Sequence, residues 1–149
     1  YKYFFGKVTM YATYDYTARN TLLYFLNKYF IDSDKLVTPI EPLDYDNENP
    51  SYEELFFGLD YPEAYKVLHK ALKGRGENIP PLINSYMNLS PTMKVFGTSI
   101  NKGFGGVEET GILVKIDDMY FEKIERHITP LKLFLSSIAY RFRPNWWKR

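Results

Sequence analysis

Cysteine is absent from the 149 residues. This removes disulfides, thiolate metal sites and cysteine nucleophiles together, and makes a reducing cytoplasm the expected compartment. Histidine is scarce: His69 and His127 stand far apart in charged, helical settings. Two imidazoles without Cys partners do not make a zinc site, so neither a metal nor a tightly bound cofactor is expected. No run of 18 uncharged apolar residues occurs, and no basic-then-apolar stretch opens the chain. Neither a spanning helix nor a secretory signal is therefore expected within it. Ser85, Ser90 and Ser99 lack a Gly-x-Ser-x-Gly context, so a hydrolase triad has no support. An opening methionine is missing too, and a chain that starts inside Tyr1-Lys2-Tyr3-Phe4-Phe5 reads as a piece of something longer.

What is plentiful is aromatic. Fourteen Tyr, 11 Phe and 2 Trp make up 18% of the chain, so aromatic burial must supply much of the core and some of the exposed surface. With 45% hydrophobic and 25% charged residues the composition is globular, and the length suits one compact domain. The net charge of +1 hides segregation. Residues 32–63 hold ten acids against Lys35 alone, whereas 141–149 hold Arg141, Arg143, Lys148 and Arg149 with no acid, interleaved with Phe142, Trp146 and Trp147.

Periodicity predicts an α+β fold, a mixed sheet with flanking helices. Phe4 to Met10 alternates as a strand with Gly6 as a bulge, and bulk on both faces suggests a central position. Asp15 caps a helix whose stripe is Ala18, Leu22, Phe25, Leu26, Tyr29 and Phe30, with Arg19, Asn20, Asn27 and Lys28 on the other side. Residues 32–50 read as a long acidic loop with Leu36, Val37, Ile40 and Leu43 to bury. Ser51-x-x-Glu54 reads as a capping box for a short helix ended by Gly58. Asp60 opens a helix striped by Ala64, Val67, Leu68, Ala71 and Leu72 and ended by Gly74. Pro80-Pro81 starts another, Leu82 to Met87. Two strands, 93–101 and 110–117, pair as a hairpin across Gly103-Phe104-Gly105-Gly106. Asp118 caps a helix to Arg126, and Thr129-Pro130 opens a last one. The chain thus divides into a domain at 1–128 and an amphipathic helix with a basic, aromatic tail at 129–149.

Few constellations carry chemistry. The glycine cluster at 103–106 fits neither a P-loop nor a dinucleotide fingerprint, and turn chemistry accounts for it. Glu108 and Glu109 sit where the hairpin tip re-enters a strand. Adjacent strand residues face opposite ways, so at most one enters a cleft, where it could serve as base for an amine with its pKa raised by burial; otherwise the pair is a solvated strand end. The tail residues Arg141, Arg143, Trp146, Trp147, Lys148 and Arg149 have the chemistry of a membrane surface, and packing of the tryptophans back on the domain is the alternative. Nucleic acid has the least support, since one short basic cluster is not a module.

Two stretches resemble a known group. Tyr3-Phe4-Phe5-Gly6-Lys7-Val8-Thr9-Met10 with the helix after it is similar to the strand and helix of the hemolysin-like N-acyltransferases. Ile79-Pro80-Pro81-Leu82-Ile83-Asn84-Ser85-Tyr86-Met87-Asn88-Leu89 resembles their Pro-Pro-Leu-x-x-Tyr-x-x-Leu segment. These are GNAT-superfamily relatives of the ornithine-lipid and glycine-lipid N-acyltransferases. Phe104 and Glu108 to Val114 are similar to the family's turn and closing strand. Asn101-Lys102-Gly103-Phe104 departs from the more usual Asp-x-Asp-Phe.

The resemblance implies an enzyme that transfers a fatty acyl group from an acyl-carrier-protein or CoA thioester to the amine of a small amino acid in aminolipid synthesis. It implies that Glu108 and Glu109 are catalytic and that Tyr86, Asn101, Phe104 and Thr110 bind substrate. It further implies that this is the C-terminal portion of such an enzyme, a partial GNAT-like fold lacking the donor-phosphate loop and inactive alone. Acyl-carrier protein and the amino-acid acceptor are then the partners, with peripheral contact at the inner membrane face. A non-catalytic membrane-binding or lytic module is the competing class. A third reading is a unit whose open strand edge pairs with another copy as a homo-oligomer.

Overall fold

The computed structural model describes residues 2–127 and 129–130. Its elements are β1 (Tyr3–Met10), α1 (Tyr16–Phe30), α2 (Pro50–Leu55), α3 (Tyr61–Lys73), α4 (Pro81–Met87), β2 (Lys94–Asn101), β3 (Val107–Lys115), a 3-10 turn (Ile116–Asp118) and α5 (Phe121–His127). The fold is α+β, with an antiparallel three-stranded sheet in the order β1-β3-β2. β1 is therefore an edge strand among the described residues and not a central one. The bulk on its second face stays in the open: Phe5 is 61% exposed and Tyr3 53%. The final predicted helix beyond Pro130 and the tail, including Arg141, Arg143, Trp146, Trp147, Lys148 and Arg149, lie outside the described residues. No helix among the described residues is long and apolar enough to cross a membrane.

The 3.6-residue stripe of α1 finds its partner in one sheet face. Ala18, Leu22, Phe25 and Leu26 are buried, and so are Val8 and Met10 of β1, Val95 of β2, and Ile112 and Val114 of β3. Phe25 is the hub of the aromatic core. Its ring lies 4.8 Å from Tyr29, 5.6 Å from Phe56, 5.9 Å from Tyr61 and 6.4 Å from Phe30, tying α1 to the α2–α3 segment. On the far side of the helix layer Leu68, Leu72 and Ile83 are fully buried.

Caps fix where the helices begin. Asp15 accepts from Ala18 N–H at 2.8 Å and Asp60 from Glu63 N–H at 2.9 Å, as a side-chain acceptor at an N-cap should. The start of α2 differs from the capping-box reading. Asn49, two residues before Ser51, is the cap and accepts from Ser51 N–H at 3.0 Å, with Pro50 in the first turn where its missing N–H costs nothing. Asp118 caps no helix either; it closes the 3-10 turn by accepting from Lys115 at 3.0 Å and Thr92 at 2.7 Å.

The bulge is in β2, not at Gly6. Register runs unbroken through Gly6↔Ile112, and Gly6 makes room for Tyr86, whose hydroxyl would stand 3.0 Å from an added Cβ. In β2 the register shifts between Val95 and Thr98, so Phe96 and Gly97 together oppose Gly111. Gly97 has φ +97, a left-handed backbone, and an added Cβ would meet Pro39 at 3.1 Å. Phe96 then covers side-chain-free Gly111 on the second sheet face and lies 6.0 Å from Phe5.

Of the four aliphatics expected to bury the acidic loop only Leu43 packs against the core, and Asp32 and Tyr45 anchor the rest. Ile40 is fully exposed and Leu36 61% exposed, whereas Asp32 and Tyr45 are buried. Asp32 accepts from Leu36 N–H at 2.6 Å, Asp34 N–H at 3.2 Å and Lys94 Nζ at 2.7 Å. Burial pushes its carboxyl up, but the bonds from Lys94, Leu36 and Asp34 outweigh that and hold it below the ordinary aspartate value.

Two tests follow from this packing. Phe25→Ala should lower stability by about 3–5 kcal/mol, the usual cost of emptying a large aromatic site, read by urea unfolding; a loss under ~1 kcal/mol would mean that the hub is dispensable. Because the folded-state pKa of Asp32 is depressed, its contribution is complete above the ordinary value of 3.8 and is lost as pH falls through the folded value beneath it. The Leu36 amide resonance, followed by NMR, should titrate in that acid window; a midpoint above 3.8 would contradict the network.

Candidate functional site

The hairpin end of the sheet gathers four of the sequence-predicted site residues. Asn101 pairs with Val107, Ile100 with Glu108 and Ser99 with Glu109, so Asn101, Glu108 and Glu109 lie around one strand end with Phe104 at the tip. Asn101 C=O accepts from Phe104 N–H and Gly106 N–H, each at 3.1 Å, which closes the tip. Gly105 (φ +67) and Gly106 (φ +70) supply the left-handed backbone this turn needs. Phe104 is 65% exposed.

Strand parity separates the two carboxylates. Glu108 faces α1 and is buried, while Glu109 faces the open side of the sheet and is half-buried. Each has its own cation. Glu109 accepts from Lys7 Nζ at 2.7 Å, a diagonal cross-strand pair that Gly111 opposite Lys7 leaves room for. The pKa is not raised by burial as the sequence suggests: the Lys7 ammonium first, then Asn101, hold the Glu109 carboxyl below the usual glutamate range.

Glu108 pairs with Arg19, whose side chain is only 12% exposed. Arg19 also donates through Nε and Nη2 to Asn20 Oδ1 at 3.0 and 2.8 Å and lies 4.4 Å over the Tyr16 ring. Asn20 is fully buried and its Nδ2 has no partner among the described residues. These are the functional-site residues that periodicity assigned to the solvent side of α1. The missed signal is the unpaired buried Glu108, which demands a cation from the facing helix.

The remaining candidates lie elsewhere. Thr110 is fully buried and its hydroxyl is bonded to Thr98 at 2.7 Å, inside the helix–sheet interface. Tyr86 is half-buried on α4 and covers Gly6, which pairs with Ile112 some 10–13 Å along β3 from the glutamates at 3.3–3.4 Å per residue. A hollow of 550 Å³ opens on the uncovered sheet face between Tyr3, Leu113, Lys94, Lys115, Asp34 and Asp118. Lys115 is six residues from Glu109 along β3, about 20 Å, so hollow and hairpin end are separate features. Among the described residues no three His, Asp or Glu side chains converge as a metal set.

The chain is 52% identical over 127 residues to the glycine N(alpha)-acyltransferase of Phocaeicola vulgatus, and 51% identical over 127 residues to the protein of that name from Bacteroides thetaiotaomicron. Each match takes in 85% of this chain but only 39% and 38% of the relative, so the chain spans about two fifths of the length of the curated relatives it matches. No family model matches, and no solved structure does.

Arg19→Met should cost about 3–5 kcal/mol in urea unfolding, because it leaves the Glu108 charge buried and unpaired. Arg19→Met combined with Glu108→Leu should recover most of that loss. A single variant as stable as the wild type would show the pair to be solvated.

Proposed function

We propose that this chain is part of an N-acyltransferase that moves a fatty acyl group from a thioester to the amine of glycine. The observation that carries this is 52% identity across 85% of the chain to a protein of that name. Acyl-carrier protein or CoA is the donor carrier, a small amino acid is the acceptor, and the N-acyl amino acid is an aminolipid or its precursor. This agrees with the Pro80-Pro81-Leu82…Tyr86…Leu89 segment on which the family resemblance rests.

The chemistry needs three things: a neutral amine nucleophile, a place for its proton, and the amine held against the thioester carbonyl. Glu109 is the carboxylate that suits the proton. It lies half-buried on the sheet face away from α1 and is ionised through Lys7 and Asn101, which leaves it free of its own proton while making it a weaker base than an unpaired glutamate. Glu108 suits a supporting role, since Arg19 and the face of α1 enclose it. Exposed Phe104 supplies apolar surface for an acyl chain at the hairpin end, whereas Tyr86, which covers Gly6 on the α1 face with Ile112, lies across the sheet from Glu109.

Grafting this chain in place of the matched 127 residues of the Phocaeicola vulgatus relative provides the test. The chimera should N-acylate glycine, and comparing acyl-carrier-protein with CoA thioesters identifies the carrier. Glu109→Gln should lower kcat about 100-fold or more, the usual worth of a positioned base. A folded chimera without transfer activity would sink the reading, and unchanged turnover by Glu109→Gln would remove that residue from the reaction.

A further inference from the structure

The two outer strands of the sheet are finished differently. The outer edge of β2 is occupied: Ile31 bridges Val95 and Pro42 bridges Ser99. Asp32 N–H donates to Val95 C=O at 3.0 Å, and Leu43 N–H to Thr98 C=O at 2.7 Å. Among the described residues no segment does the same for β1.

Parity identifies the groups left over. Ile116 N–H donates to Lys2 C=O at 2.9 Å, which makes Lys2 and Ile116 a hydrogen-bonded pair of the β1–β3 ladder. Hydrogen-bonded and non-bonded pairs alternate in antiparallel sheets. Phe4, Gly6, Val8 and Met10 therefore turn their N–H and C=O toward β3, and Tyr3, Phe5, Lys7 and Thr9 turn theirs outward.

Among the described residues nothing protects that outward row. Natural edge strands are shortened, bulged, covered, or broken by proline and charge. β1 is eight residues long with unbroken register and no proline, and the charge of Lys7 is already paired with Glu109. Its flank is aromatic, with Phe5 61%, Tyr3 53% and Phe4 46% exposed.

We propose that β1 is an interior strand of a larger sheet, and that its outer edge takes a β-strand from the chain that the longer relatives carry outside their matched residues. The relatives devote only 39% and 38% of their length to the match, so they contain the necessary chain. Strand addition joins two polypeptide regions through main-chain hydrogen bonds, which the outward groups of Tyr3, Phe5, Lys7 and Thr9 supply. A second copy is the poorer occupant. Antiparallel self-pairing through the outward groups pairs odd residues with odd and so centres on Gly6 or on Lys7, which sets the two Lys7 side chains on one face, diagonal or directly opposite, where like charges are destabilising. The pairing is independent of which reaction the module serves.

The test co-expresses this chain with the unmatched remainder of the Phocaeicola vulgatus relative as a separate polypeptide. The two should co-purify as a one-to-one complex. In it, hydrogen exchange at the Phe5, Lys7 and Thr9 amides should slow at least tenfold relative to the chain alone. Lys7→Ala should bind as the wild type does. Lys7→Pro deletes one outward donor but no bond to β3, and it should weaken binding at least tenfold. Absence of a complex between folded polypeptides, unchanged exchange at the three amides, or equal binding by Lys7→Pro would overturn the proposal. So would concentration-dependent self-association that Lys7→Pro abolishes, which would give the edge to a second copy. Should Lys7→Pro fail to fold, the exchange measurement on the wild type decides alone.

Discussion

β3 is hydrogen-bonded along both edges and packed by α1 on one face, and every functional placement in the molecule is set by its two-residue period. Its even positions, Glu108, Thr110, Ile112 and Val114, lie under α1 and are buried; its odd positions, Glu109, Gly111, Leu113 and Lys115, face the uncovered side. A slip of one residue would exchange the two sets. It would put Glu109 against Arg19 and expose Ile112 and Val114, so hydrophobic burial and the buried ion pair enforce the same register. Each carboxylate thereby has its own environment, one enclosed beside Arg19 and Asn20 and one open beside Lys7 and Asn101.

The β2 bulge makes this register compatible with a second, partial cover. By setting Phe96 and Gly97 against the single residue Gly111, it brings Thr98 back into phase with Thr110 and turns the Phe96 ring over the gap that glycine leaves. Gly97 also lets Pro39 approach its backbone, so the acidic loop can lie along β2 and close that edge. Asp32 holds the loop there through Lys94 and two backbone amides. Among the described residues one edge is sealed by the chain itself while the other presents four outward-facing residues.

Aromatic residues divide along the same lines. Phe25, Phe30 and Phe56 form the hub between the helix layers with Tyr29 and Tyr61 beside them, whereas Phe4 and Phe5, which alternation alone assigns to the core, lie on the exposed flank of β1. Proposed acyl transfer uses Phe104 at the hairpin tip and the face that carries Glu109, with Tyr86 over Gly6 on the other face of the sheet.

Local chemistry made much of the fold readable from the sequence. Asp15 and Asp60 are N-caps because a short acceptor before an apolar stripe satisfies free amides. Pro80-Pro81 opens α4 because proline suits a first turn, and the hairpin follows from Gly105 and Gly106. The opposite facing of Glu108 and Glu109 also needs only the period of a strand. What residue order could not decide was who meets whom. Arg19 and Asn20 look solvent-facing by helical spacing, yet Asn20 lies buried and Arg19 half-buried, because Glu108 arrives from 89 residues away and needs a cation. Asp32 looks like one more loop acid until Lys94 reaches it from 62 residues away. Position within the sheet is likewise not local: bulk on both faces of β1 is the same whether its outer neighbour is solvent or another strand. The sequence by itself determined the elements and their apolar stripes, since those depend on neighbours within a turn or two. Tertiary structure alone decided the ion pairs, the bulge and the open edge, because each depends on a partner distant in the chain.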